Sequence, residues 1–321
     1  MQALTFSQHG DPIDVLHLTD LDEPSELAEG DVRVRVLRSP VNHSDQALIR
    51  GTLGTRPLPA IAGNEGVGRV AQLGAGVSNV SVGDLVPLPL LAGAWRAFVD
   101  VSAGQVVSLP DGNVDQYSMI GSNSATAGLA LSEYVSLHEN EWVIQTGANG
   151  AFGRNVIALA RKRGYRTLSI VRRDAHIDEL LSIGGDEVLV DGPDLPDRIR
   201  RRLGGEPVRL ALDGVGGAVS ERVASVLQRK GVLVRYANAS GEGVDATRAM
   251  FADRDILVPF IFTPQFDFET KIAPAILEAA QLIRSGDINI PHGELLPLKD
   301  FVRAFDGLAA GQKVLFAIGD E

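Results

Sequence analysis

The feature of this sequence best suited to chemistry is a turn with glycines at positions 147, 150 and 153. The turn follows the apolar run 142–144 and precedes the helix-like stretch 154–163. Glycines allow a sharp turn and bring bare backbone N–H groups close to a ligand, while a helix N-terminus attracts negative charge. A strand, a glycine turn and a helix in this order predict a cradle for the pyrophosphate of a dinucleotide; the alternative is an ordinary turn between a strand and a helix. The candidate cofactor-binding residues in the turn are Gly147, Asn149, Gly150, Ala151, Phe152 and Gly153.

The residues after the next predicted strand, 167–171, favour one dinucleotide over the other. Arg172 stands 19 positions after Gly153, and Arg173 is next to it. The adenosine ribose is expected about 20 residues beyond a glycine turn, and an NAD site would have a carboxylate there. Two guanidinium groups instead match the 2′-phosphate of NADPH, so we predict NADPH; the alternative is that both arginines are solvated surface charge.

Composition limits the class of protein. A chain of 321 residues that is 45% hydrophobic and 22% charged can bury a large core, and its length favours two domains. A formal net charge of -11 disfavours binding to nucleic acid or to an anionic membrane. Because the sequence has no cysteine, it has no disulfide, thiol nucleophile or thiolate metal site. The sequence contains no predicted membrane span or signal peptide, and we expect a cytoplasmic protein.

The hydrophobic pattern divides the chain into two domains. Residues 1–116 have short runs in which apolar and basic residues alternate, as in 32–36, between many turns; this predicts a β-rich, barrel-like domain. Residues 117–255 alternate strands and helices, which predicts a doubly wound parallel sheet of the α/β class. Residues 256–321 are mixed in character, and we assign them to the first domain. Further strands are predicted at 188–190, 208–212, 231–235 and 313–318, and a helix at 272–284.

Motifs spread over almost the whole chain resemble those of the medium-chain dehydrogenase/reductase superfamily. They lie at 41–45, 58–68, 83–86 and 95–96, in the glycine turn, and at 171–172, 213–217 and 231–236. The tetrapeptide 63–66, Gly-Asn-Glu-Gly, and the end of the glycine turn are most similar to the zinc-free branch of quinone reductases and mitochondrial-type enoyl thioester reductases. The resemblance implies a GroES-like catalytic domain, formed by 1–116 and 256–321, and a Rossmann domain, 117–255, that binds NADPH.

The resemblance also bears on metal chemistry. Zinc-dependent relatives have an early cysteine and a histidine at the position of Asn64, and this chain has neither. Its six histidines lack the spacing of a metal site, so we predict no metal. The chemistry that remains is hydride transfer from NADPH to an activated double bond or a quinone, where hydrogen bonds stabilise the charge that develops on a carbonyl oxygen.

One position departs from the enoyl reductase branch. Those enzymes have a tyrosine in a Gly-Asn-Tyr-Gly element, which is held to protonate the reduced carbon or to orient the thioester carbonyl. The corresponding element here, 51–54, is Gly-Thr-Leu-Gly, and Leu53 has no proton to donate. Either another group or water supplies the proton, or the substrate is a quinone or another carbonyl compound.

The candidate catalytic residues are Asn42, Thr52 and Trp95. Asn42 matches an asparagine that in relatives lies near the nicotinamide ribose, and a helix cap is the alternative. Thr52 and Thr55 flank Leu53 and could hydrogen-bond a substrate oxygen or only stabilise the turn. Trp95 could form a cleft wall or pack in the core. Resemblance and position at strand ends add three residues to the cofactor site: Thr126, Gly214 and Tyr236.

An apolar run at 256–262 bears on the quaternary state. In relatives it forms an edge strand that pairs across a dimer, and an exposed apolar edge needs a partner. We therefore expect a homodimer, and the alternative is a strand buried in the monomer. Three functions remain open: an NADPH-dependent reductase of an α,β-unsaturated carbonyl compound such as an enoyl thioester, an NADPH quinone reductase, and a non-enzymatic NADPH-binding protein.

Overall fold

A computed structural model describes residues 1–22, 26–54, 56–242 and 255–320. The chain forms two units, which we call the β unit (1–122 and 267–321) and the α/β unit (123–266). Each unit is held together by its own sheets.

The chain passes between the two units later than we predicted, at 122/123 and 266/267 instead of 116/117 and 255/256. The first shift arises because the Glu65 carboxylate accepts a hydrogen bond from the backbone N–H of Ser122 and so keeps Ser122 in the β unit. The second arises because residues 257–261 hydrogen-bond to the parallel sheet of the α/β unit.

The N-terminal part of the β unit is built mainly from antiparallel strands. Its elements are β1 (Gln2–Phe6), α1 (Pro12–Val15), β2 (His17–Asp20), β3 (Asp31–Val41), α2 (His43–Arg50), β4 (Ala60–Ile61), β5 (Val67–Leu73), β6 (Leu85–Pro87), β7 (Phe98–Ser102) and α3 (Val114–Tyr117). Strand β3 pairs antiparallel with β5 and β7. As predicted, it alternates: Val32, Val34 and Val36 have no exposed surface, and the residues between them are partly exposed. Burial of each such side chain contributes about 1.5–3 kcal/mol.

The α/β unit alternates strands with helices along the chain. Its elements are α4 (Thr126–Ala130), β8 (Trp142–Thr146), α5 (Ala151–Lys162), β9 (Arg166–Val171), α6 (Ile177–Ser182), β10 (Glu187–Val190), α7 (Leu195–Leu203), β11 (Val208–Asp213), α8 (Gly217–Ala224) and β12 (Val232–Arg235). The five strands are parallel in the order β10-β9-β8-β11-β12. The order reverses between β8 and β11, and ligands of such sheets bind at the carboxyl ends of the strands near that point.

After the α/β unit the chain returns to the β unit. The remaining elements are α9 (Ala273–Ser285), β13 (Leu295–Leu296), α10 (Phe301–Ala309) and β14 (Val314–Ala317). Strand β14 pairs antiparallel with β3, with Val314 opposite Val41. Its Phe316 packs in a core that includes Trp95 and Phe305. Over the described ranges, no helix has both the length and the apolar character that crossing a membrane requires.

Candidate functional site

The glycine turn between β8 and α5 has the geometry of a dinucleotide cradle. Gly147 has a φ of +63°, in the left-handed region that favours glycine. A Cβ atom on Gly153 would lie 2.5 Å from the Cα atom of Ala148, so only glycine allows α5 to pack this closely on the turn. Gly150 is the N-cap of α5 and therefore leaves the first N–H groups of the helix without a side-chain cap. Such groups can bind a pyrophosphate.

Three residues predicted separately as cofactor contacts meet beside this turn. Tyr236 stacks on Phe152, with 3.7 Å between ring centroids, and its hydroxyl donates a hydrogen bond to the carbonyl of Thr146 at 2.8 Å. A Cβ atom on Gly214 would clash with the Tyr236 ring. Burial raises the pKa of Tyr236, so its hydroxyl stays protonated. Gly214, Phe152 and Tyr236 therefore form one packed edge of the cradle.

Asp213 ends β11 and holds the loop that follows it. Its fully buried carboxylate accepts hydrogen bonds from the hydroxyls of Thr146 and Ser220, each at 2.6 Å. The same carboxylate accepts the backbone N–H of Val215 at 3.1 Å. These bonds fix the backbone around Gly214 at the carboxyl end of the strand. An aspartate that ends an apolar strand and precedes glycines is a sequence pattern for such a loop, and the run 213–217, with Gly214 as the cofactor contact, was among the predicted motifs.

The arginines that follow β9 are available to bind an anion. Arg172 and Arg173 are exposed, and within the described part of the chain neither side chain has a hydrogen bond or an ion pair. Arg154 is different, because it donates to Glu179 at 2.5 Å and to the carbonyl of Asn149 at 3.1 Å. The free guanidinium groups thus lie after a strand end, where the 2′-phosphate of NADPH is expected.

Thr126 opens α4, and its side chain is buried. Its hydroxyl lies 2.5 Å from the hydroxyl of Thr263, which is also buried. All the predicted cofactor-binding residues therefore belong to the α/β unit, whereas the predicted catalytic residues belong to the β unit.

Asn42 is the N-cap residue of α2 and lies in a buried polar network. Its side-chain nitrogen donates to the Glu65 carboxylate at 2.8 Å, and its side-chain oxygen accepts from the Lys313 ammonium. Its backbone N–H donates to the Asp45 carboxylate at 2.8 Å. Asp45 also accepts the backbone N–H of Asn64 at 2.6 Å.

The electrostatics of this network follow from burial. Burial raises the pKa of Asp45 to about 7, and it also raises the pKa of Glu65. Burial lowers the pKa of Lys313, while the two carboxylates oppose that change. Desolvation and the nearby charge of Lys313 lower the pKa of His43. We did not predict Asp45, Glu65 and Lys313 as site residues. Within the sequence, the motif 41–45 and the Gly-Asn-Glu-Gly tetrapeptide pointed to this place.

The other two predicted catalytic residues, Trp95 and Thr52, each make contacts within the β unit. Trp95 has no exposed surface, and its ring packs edge-on against Phe316 and Phe305, with centroids 5.1 Å and 6.0 Å away. This position favours the packing alternative over contact with a substrate. Thr52 is exposed, and its hydroxyl donates to the carbonyl of Ala47 at 3.2 Å, which stabilises the end of α2.

The region around the missing tyrosine is on the surface of the β unit. Leu53 is 39% exposed and follows Gly51, which ends α2 in the left-handed conformation. Thr55, the second threonine of this element, lies outside the described residues. Neither Leu53 nor Thr52 therefore shows a bonding arrangement that would identify it as a proton donor.

The residues at the position of the relatives' zinc ligand do not fit a metal ion. The Asn64 side chain donates to the Ser44 hydroxyl at 3.3 Å and accepts the backbone N–H of Leu91 at 3.1 Å. The Lys313 ammonium interacts with Asp45, which accepts the backbone N–H of Asn64, and this positive charge would repel a metal cation. In the part of the chain that the structure describes, no group of three or more histidine, aspartate or glutamate side chains could hold a metal.

A β unit and a parallel α/β unit with a glycine turn define a two-domain oxidoreductase that uses a nicotinamide cofactor. Two family models match the chain: the alcohol dehydrogenase GroES-like domain over residues 28–147, and a zinc-binding dehydrogenase over 183–314. Human mitochondrial enoyl-[acyl-carrier-protein] reductase is 31% identical over 95% of this chain and 85% of its own.

Two solved structures are similar over almost the whole chain. Quinone oxidoreductase of Escherichia coli complexed with NADPH has a TM-score of 0.86 and 25% identity, covering 99% of this chain and 100% of its own. The complex of Etr1p with NADP and crotonyl-CoA has a TM-score of 0.86 and 25% identity, covering 98% and 99%. The chain belongs to the medium-chain dehydrogenase/reductase superfamily, in the branch of enoyl and quinone reductases. The predicted family and fold class are confirmed, and the relatives support the prediction of an NADPH-dependent oxidoreductase.

Proposed function

We propose that the protein is a zinc-independent, NADPH-dependent reductase of an activated double bond in an α,β-unsaturated carbonyl compound. One observation carries the choice of cofactor: the two free guanidinium groups of Arg172 and Arg173 follow β9, beyond an intact glycine cradle. Two similar structures, those of quinone oxidoreductase and Etr1p, hold NADPH and NADP.

Bound NADPH would supply the hydride. The N–H groups at the start of α5 would hold its pyrophosphate, and Arg172 and Arg173 would bind its 2′-phosphate. Tyr236 and Gly214 would line the path of the cofactor, Thr126 would lie near its nicotinamide end, and Asn42 stays a candidate catalytic residue. The stacked pair of Tyr236 and Phe152 keeps this edge of the cradle in one arrangement.

The identity of residue 53 bears on the choice between two substrate classes, enoyl thioesters and quinones. The side chain cannot protonate the reduced carbon of an enoyl thioester, so water or a group on the substrate would supply that proton. A quinone needs no proton on carbon, because its two oxygens take up the protons from solvent. Leu53 therefore favours quinone reduction as the second candidate function.

The test is NADPH consumption by purified protein with crotonyl-CoA and, separately, with a naphthoquinone. The proposal expects oxidation of NADPH with crotonyl-CoA, and much slower oxidation of NADH. Oxidation with the quinone alone would transfer the assignment to the second candidate. The Leu53→Tyr variant refines the test: a large gain with crotonyl-CoA would indicate that the natural substrate is different. Binding of NADPH without consumption would contradict both assignments.

We further propose that the protein is a homodimer. Residues 257–261 extend the parallel sheet beyond β12, with Ile261 donating to the carbonyl of Arg235 at 2.8 Å. Leu257, Phe260 and Phe262 are 60%, 47% and 43% exposed along this edge. A second copy would cover these side chains and pair the outer backbone groups. Cytoplasmic localisation stays a prediction of the sequence.

A further inference from the structure

The strand pairing of the β unit brings three distant polar residues together. Strand β3 runs antiparallel to both β5 and β14, so its end meets the starts of the other two strands. Asn42 directly follows β3, Glu65 precedes β5 by two positions, and Lys313 directly precedes β14. Since Val314 is opposite Val41, the register places Lys313 opposite Asn42.

The partners of Asn42 determine which way its carboxamide faces. Lys313 donates to the side-chain oxygen, and the side-chain nitrogen donates to Glu65 at 2.8 Å. An ammonium group has no acceptor and an ionised carboxylate has no donor. A flip of the amide would therefore set its nitrogen against Lys313 and its oxygen against Glu65, and both hydrogen bonds would be lost.

Hydrogen bonds to the backbone hold Glu65 in place, so the acceptor of the Asn42 amide nitrogen has a fixed position. One of its carboxylate oxygens accepts the backbone N–H of Ser122 at 2.7 Å, and its backbone carbonyl accepts the Ser39 hydroxyl at 2.5 Å. The Lys313 ammonium interacts electrostatically with both buried carboxylates, Glu65 and Asp45. Charged groups at the margin of this cluster are Arg56, which interacts with Asp45, and His43, which interacts with Lys313.

We propose that Lys313 is a positioning residue, which holds the side-chain amide of Asn42 in a single orientation. The inference rests on the proposed function for the catalytic role of Asn42, but the orientation of the amide rests on the hydrogen bonds alone. Asn42 is the catalytic residue of this pair, and Lys313 acts through it.

The test compares Lys313→Met, which keeps the aliphatic stem, with Lys313→Arg, which keeps the charge. We expect Lys313→Met to lower kcat/KM for NADPH-dependent reduction at least tenfold, and Lys313→Arg to recover most of that loss. Lys299→Met removes an exposed lysine of the same unit and is the matched control, with an expected change within twofold. Thermal unfolding of each variant establishes that it is folded.

A double variant separates positioning from a general structural effect. If Lys313 acts through Asn42, Lys313→Met should cause little further loss in an Asn42→Ala background, because effects that share one pathway are not additive. Losses that multiply in the double variant, or a Lys313→Met loss no larger than that of Lys299→Met, would overturn the proposal.

A second readout does not depend on turnover. In ¹H–¹⁵N spectra of the whole protein, the side-chain amide protons of Asn42 should exchange slowly with water and should shift and exchange faster in Lys313→Met. An unchanged Asn42 amide signal would refute the positioning role even if the wild-type protein consumed no NADPH. A protein with a changed amide signal but no NADPH consumption would instead leave the positioning role intact and refute the proposed function.

Discussion

At the residue scale, the choice of dinucleotide depends on the two arginines that follow β9. Other arginines of the α/β unit, such as Arg154 and Arg222, are bound to carboxylates, whereas Arg172 and Arg173 have no partner among the described residues. An arginine that is already paired would have to give up its carboxylate in order to bind a phosphate. The unpaired arginines can bind one at no such cost.

The first prediction concerns Arg172. Arg172→Ala should weaken NADPH binding by about 10- to 100-fold, because a charge-assisted hydrogen bond contributes about 1.5–3 kcal/mol. NADH has no 2′-phosphate, so its affinity should hardly change. Calorimetric titration of both cofactors measures this difference. Arg229→Ala, which removes an exposed arginine before the amino end of β12, is the control. Equal losses for the two cofactors would count against a phosphate contact.

The second prediction concerns Asp45, whose pKa burial raises from 3.8 to about 7. Between those two pH values the folded state binds a proton that the unfolded state lacks, so the free energy of unfolding should fall as pH rises from 4 to 7. The fall should be on the order of a few kcal/mol. In Asp45→Asn this component should be absent.

Urea unfolding at pH values from about 5 to 8 measures the free energy of unfolding over this range. An aspartate in the unfolded chain, with a pKa of about 3.9, is already ionised there, so any change that depends on Asp45 comes from the folded state. Asp20→Asn removes a carboxylate from an exposed position of β2 and controls for the loss of one negative charge. If the curves of wild type and Asp45→Asn ran parallel to each other, Asp45 would not titrate in this range.

Sequence patterns located the turn and the strand ends of the α/β unit more readily than the side-chain contacts of the β unit. The glycine turn and Arg172 are local in sequence, and their predicted roles follow from the order of strand, turn and helix. The contact between Lys313 and Asn42 depends on the register of β3 against β14, which no local pattern reveals. For the same reason the sequence left open whether Trp95 forms a cleft wall or packs in the core, since an aromatic residue in a turn-rich segment gives no indication of the core around it.

At the element scale, the junction between β8 and α5 sets how closely the helix approaches the sheet. Gly153 is the third residue of α5, and a Cβ atom added to it would meet the backbone of Ala148. Gly150, three positions earlier, has an ordinary φ of -76° and only a 3.4 Å contact at the position of a Cβ atom. The two glycines therefore have different reasons to be glycine, although the sequence pattern treats them alike.

The third prediction compares these two positions. Gly153→Ala should destabilise the protein by at least about 1 kcal/mol, because overpacking typically costs about 1–3 kcal/mol and outweighs the better helix propensity of alanine. Gly150→Ala should leave the melting temperature nearly unchanged, since its contact can be absorbed. Thermal unfolding without cofactor measures both variants. A stabilised Gly153→Ala variant would show that the helix does not need this close approach.

At the scale of the whole molecule, one edge of the sheet in the α/β unit exposes backbone groups and apolar side chains that could pair with a second chain. Residues 257–261 direct alternate backbone groups to β12, and the N–H groups of Val258 and Phe260 have no backbone partner among the described residues. Unpaired groups next to apolar side chains favour pairing with another strand. The run 256–262 was predicted as a dimer edge, and its exposed side chains support that prediction without testing it.

The fourth prediction concerns Phe260, which is 47% exposed. Phe260→Asp should convert the proposed homodimer into monomers, because a buried unpaired carboxylate at the centre of an interface costs several kcal/mol. Light scattering coupled to gel filtration measures the mass. Leu181→Asp, at a position of the same unit that is 41% exposed, should remain dimeric. A wild-type protein that is already monomeric would contradict the dimer itself.

The central claim is that this chain transfers a hydride from NADPH to carbon. The most direct measurement uses NADPH deuterated at both hydrogens of nicotinamide C4, with crotonyl-CoA as substrate and mass spectrometry of the product. We expect a saturated acyl-CoA that carries one deuterium on carbon, and far less of this product with Arg172→Ala at low cofactor concentration. Oxidation of the deuterated cofactor without any deuterated acyl-CoA would contradict the claim.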